Sequence, residues 1–257
     1  MGVSDPIGGV AEYIVGSKRV ISLTGAGIST ESGISDFRGP NGLWKRYDPD
    51  DFSIERFLED PARFWRLNLK MREDGFEMSE ASPNPAHIAL ARLEELGFMD
   101  CIITQNVDNL HFQAGSSHVI EFHGNSRRVR CLSCGNTYTD EVARKRAEGG
   151  ELPPRCDCGG VLKPDAVFFG EMIPTEALED SEEQAKSCDM MLVIGTSASI
   201  YPAAALPRIA KEIGGAKVVE INAEPTALTG MVSDLLIMGK ASEILSAIVR
   251  EVEELIK

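Results

Sequence analysis

Apolar residues along this chain fall into short unbroken runs separated by longer amphipathic stretches. The runs Val20–Leu23, Cys101–Thr104, Val119–Phe122, Met190–Ile194, Val218–Ile221 and Leu235–Met238 predict strands buried on both faces. The stretches between them carry helical spacing. Gly2 to Gly16 ends in a helix with Ile7, Val10, Ile14 and Val15 on one side. Pro61 to Met78 follows Asp60, and Pro85 to Leu96 follows Asn84 as N-cap, with Gly97 as stop. A short helix is expected over Val107 to Gln113, ending near Gly115. Further helices are expected over Thr175 to Lys186, Ala203 to Ile213 and Ala241 to Ile256. Strands alternating with helices of this length predict an α/β fold, a parallel sheet with helices on both faces. No internal repeat or low-complexity segment interrupts the alternation.

One interval breaks the rhythm. Between Gly124 and Lys163 lie two cysteine pairs, several glycines and Pro153-Pro154. That interval holds eight Lys and Arg against five Asp and Glu, a local +3 in a chain of net charge −14. The contrast marks a separate module. With 257 residues, 43% apolar and 26% charged, the chain has room for one large domain and a small one. Its acidity disfavours direct nucleic-acid binding and suits basic peptide partners. No apolar run approaches the roughly 20 residues of a membrane span. The N-terminus lacks a secretory pattern, so the expected location is the cytoplasm, where the six cysteines would be thiols or metal ligands.

Candidate chemistry sits where strands end. "LTGAGIST" carries Gly25, Ala26 and Gly27 after a strand, as a dinucleotide-binding turn does. Thr30 stands where the third glycine of G-x-G-x-x-G belongs. Two other strands end in small or polar residues, at Gly195-Thr196-Ser197 and at Asn222-Ala223. In "TQNVDNLH", Gln105, Asn106 and Asp108 gather the amides and carboxylate that ribose hydroxyls and a carboxamide require, or supply a cap to the next helix. His123 in "EFHG" is a general-base candidate. Cys131-x-x-Cys134 and Cys156-x-Cys158, 21 residues apart, suggest one structural zinc ion held by four thiolates, with Gly159 and Gly160 relaxing the tight second pair. Cys101 and Cys188 read as core thiols. "PDAVFFGE", Pro164 to Glu171, reads either as a core strand or as an edge that receives an extended peptide.

Taken in order, "GAGISTESGISDFRG", "PNPAH", "TQNVDNLH", "EFHG", the paired cysteines, "VFFGE", "GTS" and "INAE" resemble the sirtuin family of NAD-dependent protein lysine deacylases, in its single-domain prokaryotic form. The likeness runs from Leu23 to about Ala241. It implies a Rossmann-like NAD-binding domain from residues 1–39, 82–123 and 164–257. It also implies a small domain formed by insertions, a helical one at 40–81 and a zinc-binding module at 124–163. NAD as co-substrate and an acyl-lysine protein or peptide would meet in the cleft between them.

On this sequence the resemblance assigns Gly25, Ala26, Gly27, Thr30, Asp36, Phe37 and Arg38 to a cofactor loop. Gln105 and Asn106 would face the nicotinamide ribose; Asp108 and the backbone of Val107 would hold the carboxamide. Gly195, Thr196, Ser197, Asn222 and Ala223 would hold phosphate and adenosine ribose, and Lys240 and Ala241 would lie by the adenine. His123 and Asn106 would be catalytic. Phe37, Val167, Phe168, Phe169, Gly170 and Glu171 would contact the substrate. The implied reaction releases nicotinamide and moves the acyl group from lysine to ADP-ribose.

Family members that remove succinyl or malonyl groups carry a Tyr and an Arg three residues apart in the small domain. Asn68 and Met71 occupy those places here, which leads us to expect acetyl or a longer neutral acyl group. A broken G-x-G-x-x-G fits a looser loop, expected to be the most mobile part of the cofactor site from about Ser29 to Gly42. Two other readings stand beside this one: a mono-ADP-ribosyltransferase, and a zinc-module regulator that binds DNA or protein.

Overall fold

The structure, a computed structural model, describes residues 5–257 except 38, 40, 41 and 77, and all but the side chain of 79. Helix α1 (Pro6–Gly16) is capped by Asp5, whose carboxylate accepts the amides of Ile7 and Gly8. Strand β1 (Val20–Thr24) leads into a 3-10 helix, Ala26–Ser32. Two short 3-10 turns, Leu43–Lys45 and Pro49–Phe52, precede α2 (Ile54–Glu59), α3 (Pro61–Glu73) and α4 (Pro85–Glu95). Then follow β2 (Cys101–Thr104), α5 (Leu110–Gln113), β3 (Val119–Glu121), β4 (Gly124–Cys131), β5 (Thr137–Thr139), α6 (Asp140–Glu148) and β6 (Leu162–Ala166). The chain closes with α7 (Thr175–Ser187), β7 (Met190–Ile194), α8 (Leu206–Glu212), β8 (Lys217–Asn222), β9 (Leu235–Met238) and α9 (Ala241–Leu255).

Six strands form one parallel sheet in the order β3-β2-β1-β7-β8-β9. Strand order reverses between β1 and β7, the place where an open α/β sheet leaves a crevice beyond its carboxyl ends. The alternation of side chains along each strand divides the core in two. Met190, Leu192 and Ile194 of β7 join one apolar cluster with α1, α4 and α9. Met191 and Val193 join the other, with Ala185 of α7 and Leu206 and Ala210 of α8. A smaller third cluster unites α2, α3, α6, β4 and β6 around Phe57, Phe64, Trp65, Val129 and Leu162. There β4 pairs antiparallel with β5 and β6, and the Trp65 indole donates to the Leu162 carbonyl at 3.0 Å.

Several elements differ from their expected bounds for local reasons. Helix α3 stops at Glu73, not Met78. Gly75 takes φ +86° and the amide of Phe76 bonds back to Met71, a left-handed cap that ends the helix. Helix α5 starts only at Leu110, because Asn109 is left-handed (φ 69°) and Asp108 accepts the Leu110 amide at 2.9 Å. The stretch from Ala203 opens as a 3-10 turn before α8. Of Pro164 to Glu171, only the first three residues are strand, and β6 runs from 162 across the expected boundary at 163/164 into the small sheet. The rest is an extended segment with one parallel bridge, Phe169 to Ser53. Cys101 and Cys188 are buried thiols, pushed up to about 12 and about 11 by burial.

Candidate active site

The ends of β1 and β7 touch through glycine. The amide of Gly25 donates to Ile194, and that of Gly27 to Gly195. A Cβ on Gly27 would lie 2.7 Å from both Cα and carbonyl oxygen of Gly195, and one on Gly25 would lie 2.7 Å from Cβ of Thr196. Gly195 itself has φ +60° and would press a Cβ on the Ile28 amide. These glycines let two loops cross in direct backbone contact. Ala26 and Thr30 lie on the 3-10 helix that follows, Thr30 exposed with its hydroxyl on the Gly27 carbonyl.

Beside this crossing lies a buried polar network. The Asn106 amide donates to the Gly25 carbonyl and to Ser29 Oγ, both at 3.1 Å. Ser29 donates to Asp108 Oδ2 at 2.7 Å. Burial raises the Asp108 carboxyl, against hydrogen bonds from Leu110 and Ser29 that pull it down. Behind it stand two fully buried histidines. His87 Nδ1 accepts the Asn84 amide, so its Nε2 proton faces Ser29 at 3.4 Å. His111 Nε2 meets Thr24 Oγ1 at 3.0 Å; Thr24 in turn donates to Thr104, its neighbour across β1 and β2. Burial lowers His87 to about 4 and His111 to about 3, so both are neutral at physiological pH.

His123 stands between β3 and β4. Its Nδ1 lies 3.0 Å from the Gln105 carbonyl, which can only accept, so Nδ1 carries the proton. Nε2 is then a bare lone pair, with no hydrogen-bond partner among the described residues. Burial holds His123 below the ordinary histidine value, partly offset by that hydrogen bond. Gln105 Nε2 reaches Thr196 Oγ1 at 3.1 Å, so the ends of β2 and β7 are tied above the crossing. Ser197 pairs with Ser199, and Asn222 Nδ2 with the Glu224 carbonyl at the end of β8. Ala223 follows it. The turn at Lys240 and Ala241 comes alongside the 3-10 helix, since Glu31 accepts the Ser242 amide and lies 3.8 Å from Lys240 Nζ.

The substrate-side residues separate. Asp36 accepts the Gly39 amide at 2.9 Å, and Arg38 lies outside the described residues. Phe37, 42% exposed, stacks on Trp44 at 5.1 Å, and Trp44 meets the exposed Phe169 at 5.8 Å. Phe168 instead packs into the small apolar cluster against Phe57 and Phe64. The Val167 amide donates to the His123 carbonyl at 2.9 Å. Gly170 is left-handed, and the Glu171 carboxylate is engaged inside the protein by Lys163 and the Phe168 amide. Trp44, Ser29, His87 and His111 are given no site role by the sequence, although the last three lie within the motifs quoted above. His87, three residues after the Asn84 cap on the buried side of α4, and His111, the second residue of α5 after the polar end of β2, were the available signals.

The four cysteines converge: their Sγ atoms all lie within 4.8 Å of one another, with Cys131–Cys158 and Cys134–Cys156 at 3.6 Å. Tetrahedral zinc with bonds of about 2.3 Å places its sulfurs about 3.8 Å apart, so this donor set fits zinc. The second pair closes by a turn in which Gly159 takes φ +87° and donates to the Cys156 carbonyl. A Cβ on Gly160 would lie 2.6 Å from Cys131 Sγ.

A doubly wound sheet whose strand-order reversal faces a buried Asn-Asp-His crevice, joined to a four-cysteine module, defines a nucleotide-dependent enzyme built around a neutral histidine. The chain belongs to the Sir2 family, whose model matches residues 25–202. It is 48% identical over 246 residues to NAD-dependent protein deacylase 2 of Pyrobaculum aerophilum, covering 95% of each chain. It is 44% identical to NAD-dependent protein deacylase 2 of Archaeoglobus fulgidus, covering 98% of each. Among solved structures, a Sir2 His-to-Ala variant with deacetylated p53 peptide and 3'-O-acetyl ADP-ribose superposes with TM-score 0.88 at 39% identity, covering 95% of this chain and 97% of that one. A Sir2 complex with p53 peptide and NAD+ gives 0.86 at 37%, covering 97% and 98%.

No helix among the described residues is long and apolar enough to cross a membrane.

Proposed function

We propose that this chain is an NAD-dependent protein lysine deacylase that moves the acyl group from lysine to ADP-ribose and releases nicotinamide. The observation that carries the reading is the state of His123: a neutral imidazole, its proton fixed on Nδ1 by the Gln105 carbonyl and its Nε2 bare. Such a group takes a proton at neutral pH without first losing one. The polar set around it suits the co-substrate: amides at Gln105 and Asn106 for ribose hydroxyls, Asp108 and the Val107 backbone for a carboxamide, and Thr196, Ser197 and Asn222 for phosphate and the second ribose. Bound NAD would supply a ribose carbon that becomes electrophilic as nicotinamide departs and that an amide oxygen can attack.

The chain's own residues then orient and exclude. Asn106 and Ser29 hold the crevice floor at fixed hydrogen-bond distances, which is where positioning enters the rate. His123 Nε2 accepts the proton of a ribose hydroxyl. Phe37, Trp44 and Phe169 form an aromatic wall on the side where the acyl-lysine peptide enters. Zinc held by four thiolates has no open position and would be structural. A cytoplasmic location belongs to this reading, since those thiols must stay reduced.

The DNA-binding alternative loses its footing in the module itself. Arg128 pairs with Glu121 and Asp165, Arg130 with Asp165, Lys145 with Glu141 and Arg146 with Asp157, so much of the local positive charge is answered internally. The test is incubation with an acetyl-lysine peptide and NAD. Nicotinamide release is expected, falling by about 100-fold or more in His123→Ala. No release, or full activity in that variant, would sink the reading. Transfer of labelled ADP-ribose to protein without an acyl-lysine would favour the ADP-ribosyltransferase instead.

A further inference from the structure

Lysine is almost never fully buried unless its charge is answered. The Lys163 side chain is only 5% exposed, on β6 between the small sheet and the segment that leads to Glu171. Its ammonium has three N–H groups and finds three acceptors: the carbonyls of Pro164 at 3.0 Å and Ala166 at 2.7 Å, and Glu171 Oε2 at 2.8 Å. The Phe168 ring lies beneath it, 4.1 Å from Nζ to the centroid. The same Glu171 oxygen also accepts the Phe168 amide at 2.9 Å. One buried cation therefore ties the start of this segment to its end and closes a loop around Phe168.

What the loop carries gives the clamp its consequence. Val167 donates to the carbonyl of His123, while Phe169 exchanges hydrogen bonds with Phe52 and Ile54 at 3.0 and 2.9 Å. The segment thus bridges the main chain of the proposed base and the small domain, and Lys163 fixes its curvature between those anchors. An apolar side chain of equal length would cover Phe168 but take the ammonium from two carbonyls and leave the Glu171 carboxylate with the Phe168 amide and no cation. Of the proposed NAD-facing residues only His123 touches the segment, through its backbone carbonyl; the Lys163 ammonium meets Pro164, Ala166, Glu171 and Phe168.

We infer that Lys163 is a positioning residue for the acyl-lysine substrate, acting through Glu171 and the backbone of 166–168 to set where Val167 to Phe169 meet the peptide, with no part in holding NAD. The inference rests on the deacylase reading above. The test compares Lys163→Met, Lys163→Arg and Glu171→Gln with the unaltered zinc-loaded chain, with acetyl-lysine peptide and NAD varied separately. Lys163→Met is expected to raise the peptide KM about tenfold or more and to leave the NAD KM within about twofold. Lys163→Arg, which keeps the cation, is expected to recover part of the loss, and Glu171→Gln to show a smaller shift of the same kind. An unchanged peptide KM in a folded Lys163→Met, or equal rises in both KM values, would overturn the inference. Should that variant fail to fold, Glu171→Gln decides alone, and an unchanged peptide KM there has the same force. An unaltered chain without NAD-dependent turnover would overturn the deacylase reading and the clamp together; turnover in the unaltered chain with unmoved variant KM values overturns the clamp only.

Discussion

The crevice beyond β1, β2 and β7 and the four-cysteine module solve opposite problems. In the crevice, ionisable groups are buried without counter-ions, and burial pushes each toward its neutral form: Asp108 up, and His123, His87 and His111 down. Hydrogen bonds among Ser29, Asp108, Asn106, Thr24 and Thr104 satisfy most of what remains, while His111 Nδ1 is buried without a partner among the described residues. In the module, four sulfurs crowd within 4.8 Å and would repel one another as thiolates without a cation among them. The crevice also sits on two large apolar clusters, one on each face of the sheet, whereas two of the module's buried core residues, Cys131 and Cys156, belong to the four-cysteine cluster that fits zinc. The first region is held by what surrounds it, the second by what it binds.

Metal removal should therefore separate the two, and it is the largest effect we expect. Structural zinc contributes an apparent 10–16 kcal/mol or so in small zinc-dependent folds, more than a module of this size can replace. Chelation, or Cys131→Ser, is expected to abolish turnover and to expose the amides of β4, β5 and β6 to rapid hydrogen exchange, while β1, β2 and β7 stay protected. Protected β4–β6 amides in chelated protein would break the comparison, because the module would then stand on packing alone.

A smaller effect tests how the crevice is built. Gly27→Ala places a methyl group 2.7 Å from the Gly195 backbone, a contact that forces the loops apart. Overpacking of this kind costs about 1–3 kcal/mol. Urea unfolding should show that loss, and the NAD KM should rise as the β1 and β7 ends separate. Unchanged stability would mean that the glycines serve the ligand rather than the crossing.

That result bears on how far the sequence could be read. The strands and most helices were legible because buried parallel strands leave unbroken apolar runs and helix caps leave Asp, Asn, Pro and Gly at fixed offsets. The glycines of "GAG" were legible as special, but their reason was not. A ligand's phosphate and a neighbouring loop's backbone ask for the same missing Cβ, and only the position of Gly195 tells them apart. Phe168 and Phe169 show the same limit. Adjacent phenylalanines in an extended segment face opposite ways, and sequence does not say that Phe168 is the one that enters the core. Lys163 figured in the sequence only as one charge of the cysteine module and Glu171 as a substrate contact; their pairing became visible with the fold.

The smallest effect concerns the neutrality of His123, and its sign can be worked out. Burial disfavours the imidazolium, so the folded value lies below the ordinary 6.5. As a general base His123 works only when neutral, so the acid limb of kcat/KM for the peptide should lie below pH 6.5. A histidine of ordinary pKa would be only about a quarter neutral at pH 6.0, and this one should keep a larger share of its activity there. Stability follows the same sign. The unfolded chain binds a proton near 6.5 that the folded chain refuses, so the contribution is complete above that pH and is lost as pH falls from there through the folded value. Activity and stability should thus decline together on the acid side, both below 6.5. An acid limb centred above that value would mean that a carboxylate reaches His123 in the working complex and stabilises its cation. The crevice would then hold its base by charge, as the module holds its metal, and the contrast between the two regions would fail at its most functional residue.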